Sequence, residues 1–283
     1  MAKLPVYVSE SDFEKYILPH LTHQVNHNRQ KVSYHYLFNT ILYVLKSGCS
    51  WRTLSPDDGL VTWQNIYYHF RKWSDDGSFE KLFGSSHFVM NEHLALECIQ
   101  LDGSHTPSFK WAFAERLNKE GGEKVRWQRR KRAKTTNNLI ICDNKHHILA
   151  ISDCISGNHH DSYELIEQLT ILLNKMDEAN IDYKSSHLNA DSGFDVKSFI
   201  EIIEEKHKII ANIPKNQRNT KKINQEHRYL SEYIYSFRFK IETIFAWLDS
   251  YKRILIRFEQ RAKHFKSWLL IASLIINLRT ILN

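Results

Sequence analysis

Near Glu97 the apolar residues of this 283-residue chain change their period, and that change constrains the fold more than any other feature. Downstream, "LECIQLD", "NNLIICD" and "HILAISDCIS" are short Ile- and Leu-rich runs separated by turn residues, as strands of a half-buried sheet should be. A helical stretch "SYELIEQLTILLNKMDEAN" follows, then a strand "SHLNAD", a helix "DVKSFIEIIEEKHK", a strand "IIANIP" and a long helix that carries Glu242. Three strands, a helix, and then alternating strands and helices predict an α/β fold, a mixed five-stranded sheet flanked by helices. Gly (9) and Pro (5) are scarce enough to leave such elements uninterrupted.

Upstream, residues 9 to about 83 keep the 3 and 4 spacing of helices in "SDFEKYIL", "YHYLFNTILYVLKSG" and "VTWQNIYYHFRKWSDDG". Gly48 and Gly77 are helix stops and "SPDDG" is a turn. The expected division is an all-α domain at 1–90 and the α/β domain at 91–283. The basic, aromatic third helix, "YYHFRKW", suits a helix-turn-helix in which Arg71 and Lys72 meet DNA. Periodicity fits a small bundle with both cations merely solvated equally well.

A formal charge of +7 favours a polyanionic partner, nucleic acid first. The charge is concentrated in a basic insertion at about 115–137, where Lys124, Arg126, Arg129, Arg130, Lys131, Arg132 and Lys134 surround Trp127. Cations that neutralise backbone phosphates, with an aromatic that can stack on a base, make a phosphate-contacting arm; the alternative is a solvated loop. Lys215, Arg218, Lys221 and Lys222 form a second basic loop. Cys49, Cys98, Cys142 and Cys154 are dispersed, which predicts reduced, buried thiols and neither a zinc site nor a disulfide framework. The N-terminus has no signal-peptide pattern, and "WLLIASLIINL" is about half the length that spans a bilayer. A soluble cytoplasmic protein without a membrane partner is expected.

Two acids stand at strand ends, Asp102 in "IQLDGS" and Asp191 in "LNADSGFD", and Glu242 lies on the helix beyond. Singly, each has a plainer reading: Asp-Gly as a hairpin turn, Asp191 as a turn or cap (a role that suits Asp195 better), and Glu242 as the i,i+4 partner of Arg238. Together they occupy positions where an α/β sheet presents functional groups. Converging carboxylates repel one another, and Mg²⁺ or Mn²⁺ relieves the conflict; two such ions about 4 Å apart clamp both oxygens of a phosphoryl displacement. Spacing alone does not choose these three over Asp143, Asp153 or Asp161, or over Glu201, Glu204 and Glu205. The histidine pairs 146–147 and 159–160 read as surface loops or DNA contacts before a transition-metal site.

Tyr235, Arg238 and Glu242 match a motif of Tyr, Arg three residues on and Glu four further, and "ADSGFD", "GNHHDS" (Gly157, His160, Asp161) and "LDGSHTP" accompany it. In these motifs, over nearly its whole length, the chain resembles the DDE transposases of bacterial insertion sequences, in the group named after insertion sequence five. "GCSWRTLSPDDGLVTWQNIYYHFRKWSDDG", with Trp51, Arg52, Leu54, Tyr67, Phe70 and Trp73, is similar to that family's helical accessory domain and favours the DNA-binding reading of residues 1–90. The resemblance implies a ribonuclease-H-like catalytic core at 91–283, two Mg²⁺ or Mn²⁺ ions held by Asp102, Asp191 and Glu242, and an Arg238 oriented by Tyr235. It also implies terminal inverted repeats and target DNA as duplex partners, and a homodimer assembled on DNA. Relatives often carry a Lys seven residues after the motif Glu, where this chain has Asp249; Lys252 or Arg253 would supply the phosphate contact. The rival readings are a retired, transposase-derived DNA-binding regulator and an RNA-processing nuclease.

Overall fold

The computed structural model describes residues 7–22, 32–54, 61–109, 122–216 and 229–282. The expected "SPDDG" turn, residues 115–121 of the basic insertion, and Arg218, Lys221 and Lys222 lie outside the described residues. The helices are α1 (Glu10–Asp12), α2 (Tyr34–Ser47), α3 (Trp63–Asp75) and α4 (Ser78–Met90), then α5 (Leu165–Glu178), α6 (Lys197–Glu201), α7 (Glu232–Tyr235), α8 (Phe239–Asp249), α9 (Lys252–Leu255) and α10 (Ala262–Asn277). The strands are β1 (Cys98–Pro107), β2 (Arg126–Gln128), β3 (Ala133–Cys142), β4 (Ile148–Ile151), β5 (Ile155–Ser156), β6 (His187–Asn189) and β7 (Ile210–Asn212). Two compact units emerge, and neither is continuous in sequence: one comprises 1–89, 106–125 and 247–283, the other 90–105 and 126–246.

The first unit is helical. Ser33 caps α2 by accepting the Tyr36 N–H at 3.1 Å, and Gly48 ends it in the left-handed region at φ 72°. Leu37, Phe38, Ile41, Leu42 and Leu45 of α2 are buried along one stripe. The apolar run from Trp268 forms α10, whose residues from His264 to Asn277 are all buried, so its all-round hydrophobicity reflects a core helix. Trp268 stacks on Phe70 of α3 with ring centroids 4.2 Å apart and on Trp51 at 5.7 Å. Among the described residues, no helix is long and apolar enough to cross a membrane.

The second unit is the α/β fold, a mixed sheet with helices against it and a ribonuclease-H-like topology. Its strand order is β2-β3-β1-β6-β7, with β4 and β5 also paired to β3. β1 and β6 run parallel, as do β6 and β7, while β2, β4 and β5 lie antiparallel to β3. Leu165, Leu169, Leu172, Leu173 and Met176 of α5 bury an i, i+4, i+7, i+8 stripe in a core shared with Ile99, Leu101, Leu139, Ile141 and Leu188.

The sheet has seven strands where five were expected, for two local reasons. "HILAISDCIS" divides into β4 and β5, because the Ser152 hydroxyl accepts the Leu139 N–H at 2.8 Å and donates to the Asp153 carbonyl at 2.8 Å, which interrupts the ladder. The basic insertion contributes β2, which pairs with β3 as a hairpin. The helix expected over "DVKSFIEIIEEKHK" is a short α6 followed by a π-helical turn, Ile202–Lys206. Cys98, Cys142 and Cys154 are buried free thiols, and Cys49 is a free, half-buried one.

Candidate active site

Three side-chain amides organise the site. Gln100, Asn189 and Asn212 occupy the same register across β1, β6 and β7, and all three are buried. Asn189 Nδ2 donates to Gln100 Oε1 at 2.9 Å, and Asn212 Nδ2 donates to Asn189 Oδ1 at 2.7 Å. The ladder continues into the segment before α8: Asn189 Nδ2 donates to the Ile234 carbonyl at 2.7 Å, and Asn212 Oδ1 accepts the Ser231 N–H at 2.9 Å. The strands therefore fix α7 and the turn after it. Asp102 lies two residues beyond Gln100 within β1 and so follows it on the same side of the strand, while Asp191 lies two residues beyond Asn189, just past the end of β6.

Asp102 does not end its strand or begin a hairpin turn, as "LDG" suggested; β1 runs through it to Pro107. Its side chain is 18% exposed, its Oδ1 accepts the Gly103 N–H at 2.8 Å, and its Oδ2 accepts from Arg238 Nη1 at 3.3 Å. Burial pushes its pKa up to about 6; the Gly103 N–H and Arg238 oppose the rise, while the charges of Asp191 and Asp161 add to it. Asp191 caps a 3-10 turn, Ser192–Phe194, accepting the Gly193 N–H at 2.7 Å. It thus takes the capping role expected of Asp195, whose carboxylate instead accepts the Asn216 N–H at 2.8 Å.

The expected single helix under Tyr235, Arg238 and Glu242 is α7, a 3-10 turn (Ser236–Arg238) and α8. Burial works against the Arg238 charge, but Asp102 and a hydrogen bond with Tyr235 outweigh it and hold the guanidinium pKa above its ordinary value. The i,i+4 ion pair exists, with Arg238 Nη1 at 3.8 Å from Glu242 Oε1, and Glu242 is 65% exposed. Arg238 therefore joins two of the three acids. Among the described residues, no group of three or more His, Cys, Asp or Glu side chains is placed to hold a metal ion. The donor chemistry nonetheless fits a hard divalent cation, because Asp102 and Asp191 offer oxygen only.

Asp191 borders two grooves. One, of about 560 Å³, also takes in Asp161, His105, Arg130 and Asn216; the other, of about 590 Å³, takes in Tyr235, Arg238, Lys215 and Asn216. Sequence reasoning missed His105 and Asn137 and left Asp161 as one competitor among several. Asp161 Oδ1 accepts from Asn137 Nδ2 at 2.6 Å and lies 3.7 Å from His105 Nε2. Burial lowers the His105 pKa, and the cations Arg130 and Lys131 lower it further against the pull of Asp161. "GNHHDS" was the sequence signal for Asp161, and His105 stands inside "LDGSHTP", read only for its Asp102; Asn137 had no signal.

The cations divide by exposure. In the β2–β3 hairpin, Arg129, Arg130, Lys131, Arg132 and Lys134 are exposed, Arg126 is half-buried, and Trp127, opposite Lys134, is 55% exposed. In the first unit, Arg71 and Lys252 are exposed, while Lys72 is half-buried with Nζ 3.5 Å from the Thr22 carbonyl. Arg253 is not a surface cation. It is 4% exposed, donates to the Cys49 carbonyl at 2.6 Å and pairs with Glu259 at 3.4 Å, so its charge serves the interior. His147 is likewise buried, held by Asp143 at 2.9 Å, whereas His159 stacks on Tyr163 and His160 faces the 560 Å³ groove.

Residues 11–83 match a family model described as a "transposase of IS4/5 family", and residues 99–278 match the model "Transposase DDE domain". No curated protein and no solved structure matches the chain. The second match runs from β1 through α10 and covers more than half of the sequence, so the chain belongs to the DDE transposases, in the IS4/5 family.

Proposed function

We propose that the protein binds the terminal inverted repeats of its own element as duplex DNA and carries out divalent-metal-dependent strand cleavage and strand transfer. The observation that supports this reading is Asp102, half-buried on β1, within electrostatic reach of Asp191 and ion-paired to the Arg238 that also meets Glu242, within a stretch that matches the DDE domain. Asp102, Asp191 and Glu242 would hold Mg²⁺ or Mn²⁺. When bound, such ions supply Lewis acidity and lower the pKa of water at the scissile phosphate.

The protein's own part is positioning. Tyr235 orients Arg238 through their hydrogen bond, and Arg238 holds the Asp102 and Glu242 carboxylates at one place. The exposed cations of the β2–β3 hairpin, with Lys215 at the 590 Å³ groove, neutralise backbone phosphates, and Trp127 stacks on an unpaired base. Arg71 of α3 and the exposed Lys252 serve as further duplex contacts. Because two DNA ends must be joined, the working form is a homodimer assembled on DNA.

Incubating the purified protein with its flanking DNA ends and Mg²⁺, and reading nicks on a denaturing gel, tests the proposal. The protein is expected to nick at the element ends, and Asp102→Asn to abolish nicking while retaining end binding. End binding without any nicking assigns the chain to retired regulators instead, and cleavage of RNA in preference to duplex ends assigns it to RNA processing.

A further inference from the structure

A hydrogen-bond relay runs from β1 to the cations of the β2–β3 hairpin, and His105 is its centre. His105 lies three residues beyond Asp102 on β1, on the opposite face of the strand because side chains alternate, and its side chain is 4% exposed. Its Nδ1 is 3.2 Å from Thr135 Oγ1 of β3, and its Nε2 is 3.4 Å from Gln128 Nε2 of β2. Since β3 lies between β1 and β2, the imidazole reaches across a whole strand. The other end of the Gln128 amide fixes its orientation, because Oε1 accepts the Arg130 N–H at 3.3 Å. An amide nitrogen only donates, so His105 Nε2 is the acceptor, and the ring proton sits on Nδ1 and goes to Thr135. The imidazole in this relay is therefore neutral.

We propose that neutral His105 is a positioning residue that holds the β2–β3 hairpin, and with it Arg130, in place for DNA, and that protonation of His105 releases the hairpin. A protonated imidazole has no acceptor, so Gln128 Nε2 would lose its partner and face a second N–H. Asp161 Oδ1, 3.7 Å from the same Nε2, would become the partner of the new charge. One nitrogen thus chooses between two neighbours by its proton. The charged groups that act on it are Arg130 and Lys131 of the hairpin, and His160 and Asp161 of the loop before α5. Burial favours the neutral form most, Asp161 opposes it, and Arg130, Lys131 and His160 side with burial, which leaves the pKa below the ordinary 6.5. The relay is accordingly intact at neutral pH and is lost as pH falls through that lowered value. The inference rests on the reading of the hairpin as a DNA-contacting arm.

Two measurements on the full chain test it. Histidine ring signals in nuclear magnetic resonance, with His105 identified as the one missing from His105→Gln, give the pH at which it protonates. Amide hydrogen exchange without DNA, corrected for the intrinsic effect of pH, gives the protection of the hairpin. That protection should fall as His105 protonates. His105→Gln places an amide oxygen near the position of Nε2 that accepts from Gln128 and never titrates, so it should keep the protection at low pH, whereas His105→Leu and the surface variant Gln128→Leu should lack it at every pH. In fluorescence anisotropy at neutral pH, both Leu variants should bind end DNA roughly fivefold to tenfold more weakly, the worth of about one hydrogen bond, and His105→Gln should bind as the wild type does. Hairpin protection that is equal in all variants and unchanged through the His105 titration would overturn the latch and leave the DNA-arm reading standing. If the hairpin loosens as expected but neither the Leu variants nor Arg130→Ala weaken end binding, the hairpin is not a DNA arm and the proposal falls with that reading.

Discussion

Arg238 Nη1 lies 3.3 Å from Asp102 Oδ2 although 136 residues separate them. The pair does not fully balance, since Asp102 still has its pKa raised from 3.8 to about 6. A carboxyl with a raised folded-state pKa contributes stability that is present below about pH 4 and is lost as pH rises through about 6. The two-unit shift corresponds to about 3 kcal/mol at neutral pH. Asp102→Asn should therefore stabilise the fold by about 1–3 kcal/mol at pH 7.5 and by almost nothing at pH 4. Thermal melts at the two pH values check this; equal melting shifts at both would show that burying this charge costs nothing. Saturating Mg²⁺ should narrow the gap at pH 7.5, because it stabilises only the acid.

The β2–β3 hairpin predicts a particular salt dependence. Replacing Arg129, Arg130, Lys131 and Arg132 with Ala should lower the slope of log affinity against log salt by about 3–4, at about 0.9 for each duplex phosphate no longer neutralised. Fluorescence anisotropy with labelled end DNA between low and moderate salt measures the slope. An unchanged slope would make these cations a solvated turn. Trp127→Ala should cost about 1–3 kcal/mol on single-stranded ends and much less on closed duplex.

The amide ladder ties the catalytic turn to the sheet. Asn189→Ala removes its middle rung, leaving Gln100 Oε1, the Ile234 carbonyl and Asn212 Nδ2 each short of a buried partner. The expected loss is about 2–4 kcal/mol of stability, from the desolvation cost of groups left unsatisfied. Urea denaturation measures it. Nicking should fall more than end binding does, since the ladder holds the segment carrying Tyr235 and Arg238 and not the hairpin cations.

What the sequence disclosed follows from the range of the interactions. β1, β3 and α5 were legible because each buries several Ile and Leu residues of its own, β6 and β7 because short apolar runs stand between helical segments, and the Arg238–Glu242 pair because it is local to one turn. β2 was hidden because three residues among cations show no period; only its pairing with Arg126↔Thr135 and its neighbours makes it a strand. The destination of α10 was equally hidden. Hydropathy shows that such a helix must be buried, but not that Phe70 and Trp51, some 200 residues earlier, are its partners. At the site, Asp102, Asp191, Glu242 and Arg238 were singled out by the motifs of the family resemblance and not by spacing, whereas the contacts of Asn137 and His105 with Asp161 are long-range and are made only by the fold.

Arg253 shows the same limit and gives the last prediction. Counted as a surface cation from its sequence, it is enclosed by Cys49, Trp51, Phe258 and Glu259 in the helical unit, where Trp268 Nε1 also donates to Glu259 Oε1 at 2.7 Å. Burial raises the Glu259 pKa, opposed by Arg253 and by the Trp268 hydrogen bond, so the carboxylate depends on both partners for its charge. Arg253→Ala takes from that carboxylate its 3.4 Å cation partner, leaving it the Trp268 and Phe258 hydrogen bonds and the charge of Arg257, and should cost about 3 kcal/mol. Glu259→Gln leaves an amide oxygen for Trp268 but strands the guanidinium, and should cost a similar amount. Combining Arg253→Met with Glu259→Gln should recover part of the loss, because neither member of the pair is then left facing an absent partner, while Arg257 keeps its bonds to the Glu259 and Gln260 carbonyls. Urea midpoints of the three variants decide the matter. An Arg253→Ala protein as stable as the wild type but with a weakened salt slope for DNA would return this residue to the DNA surface.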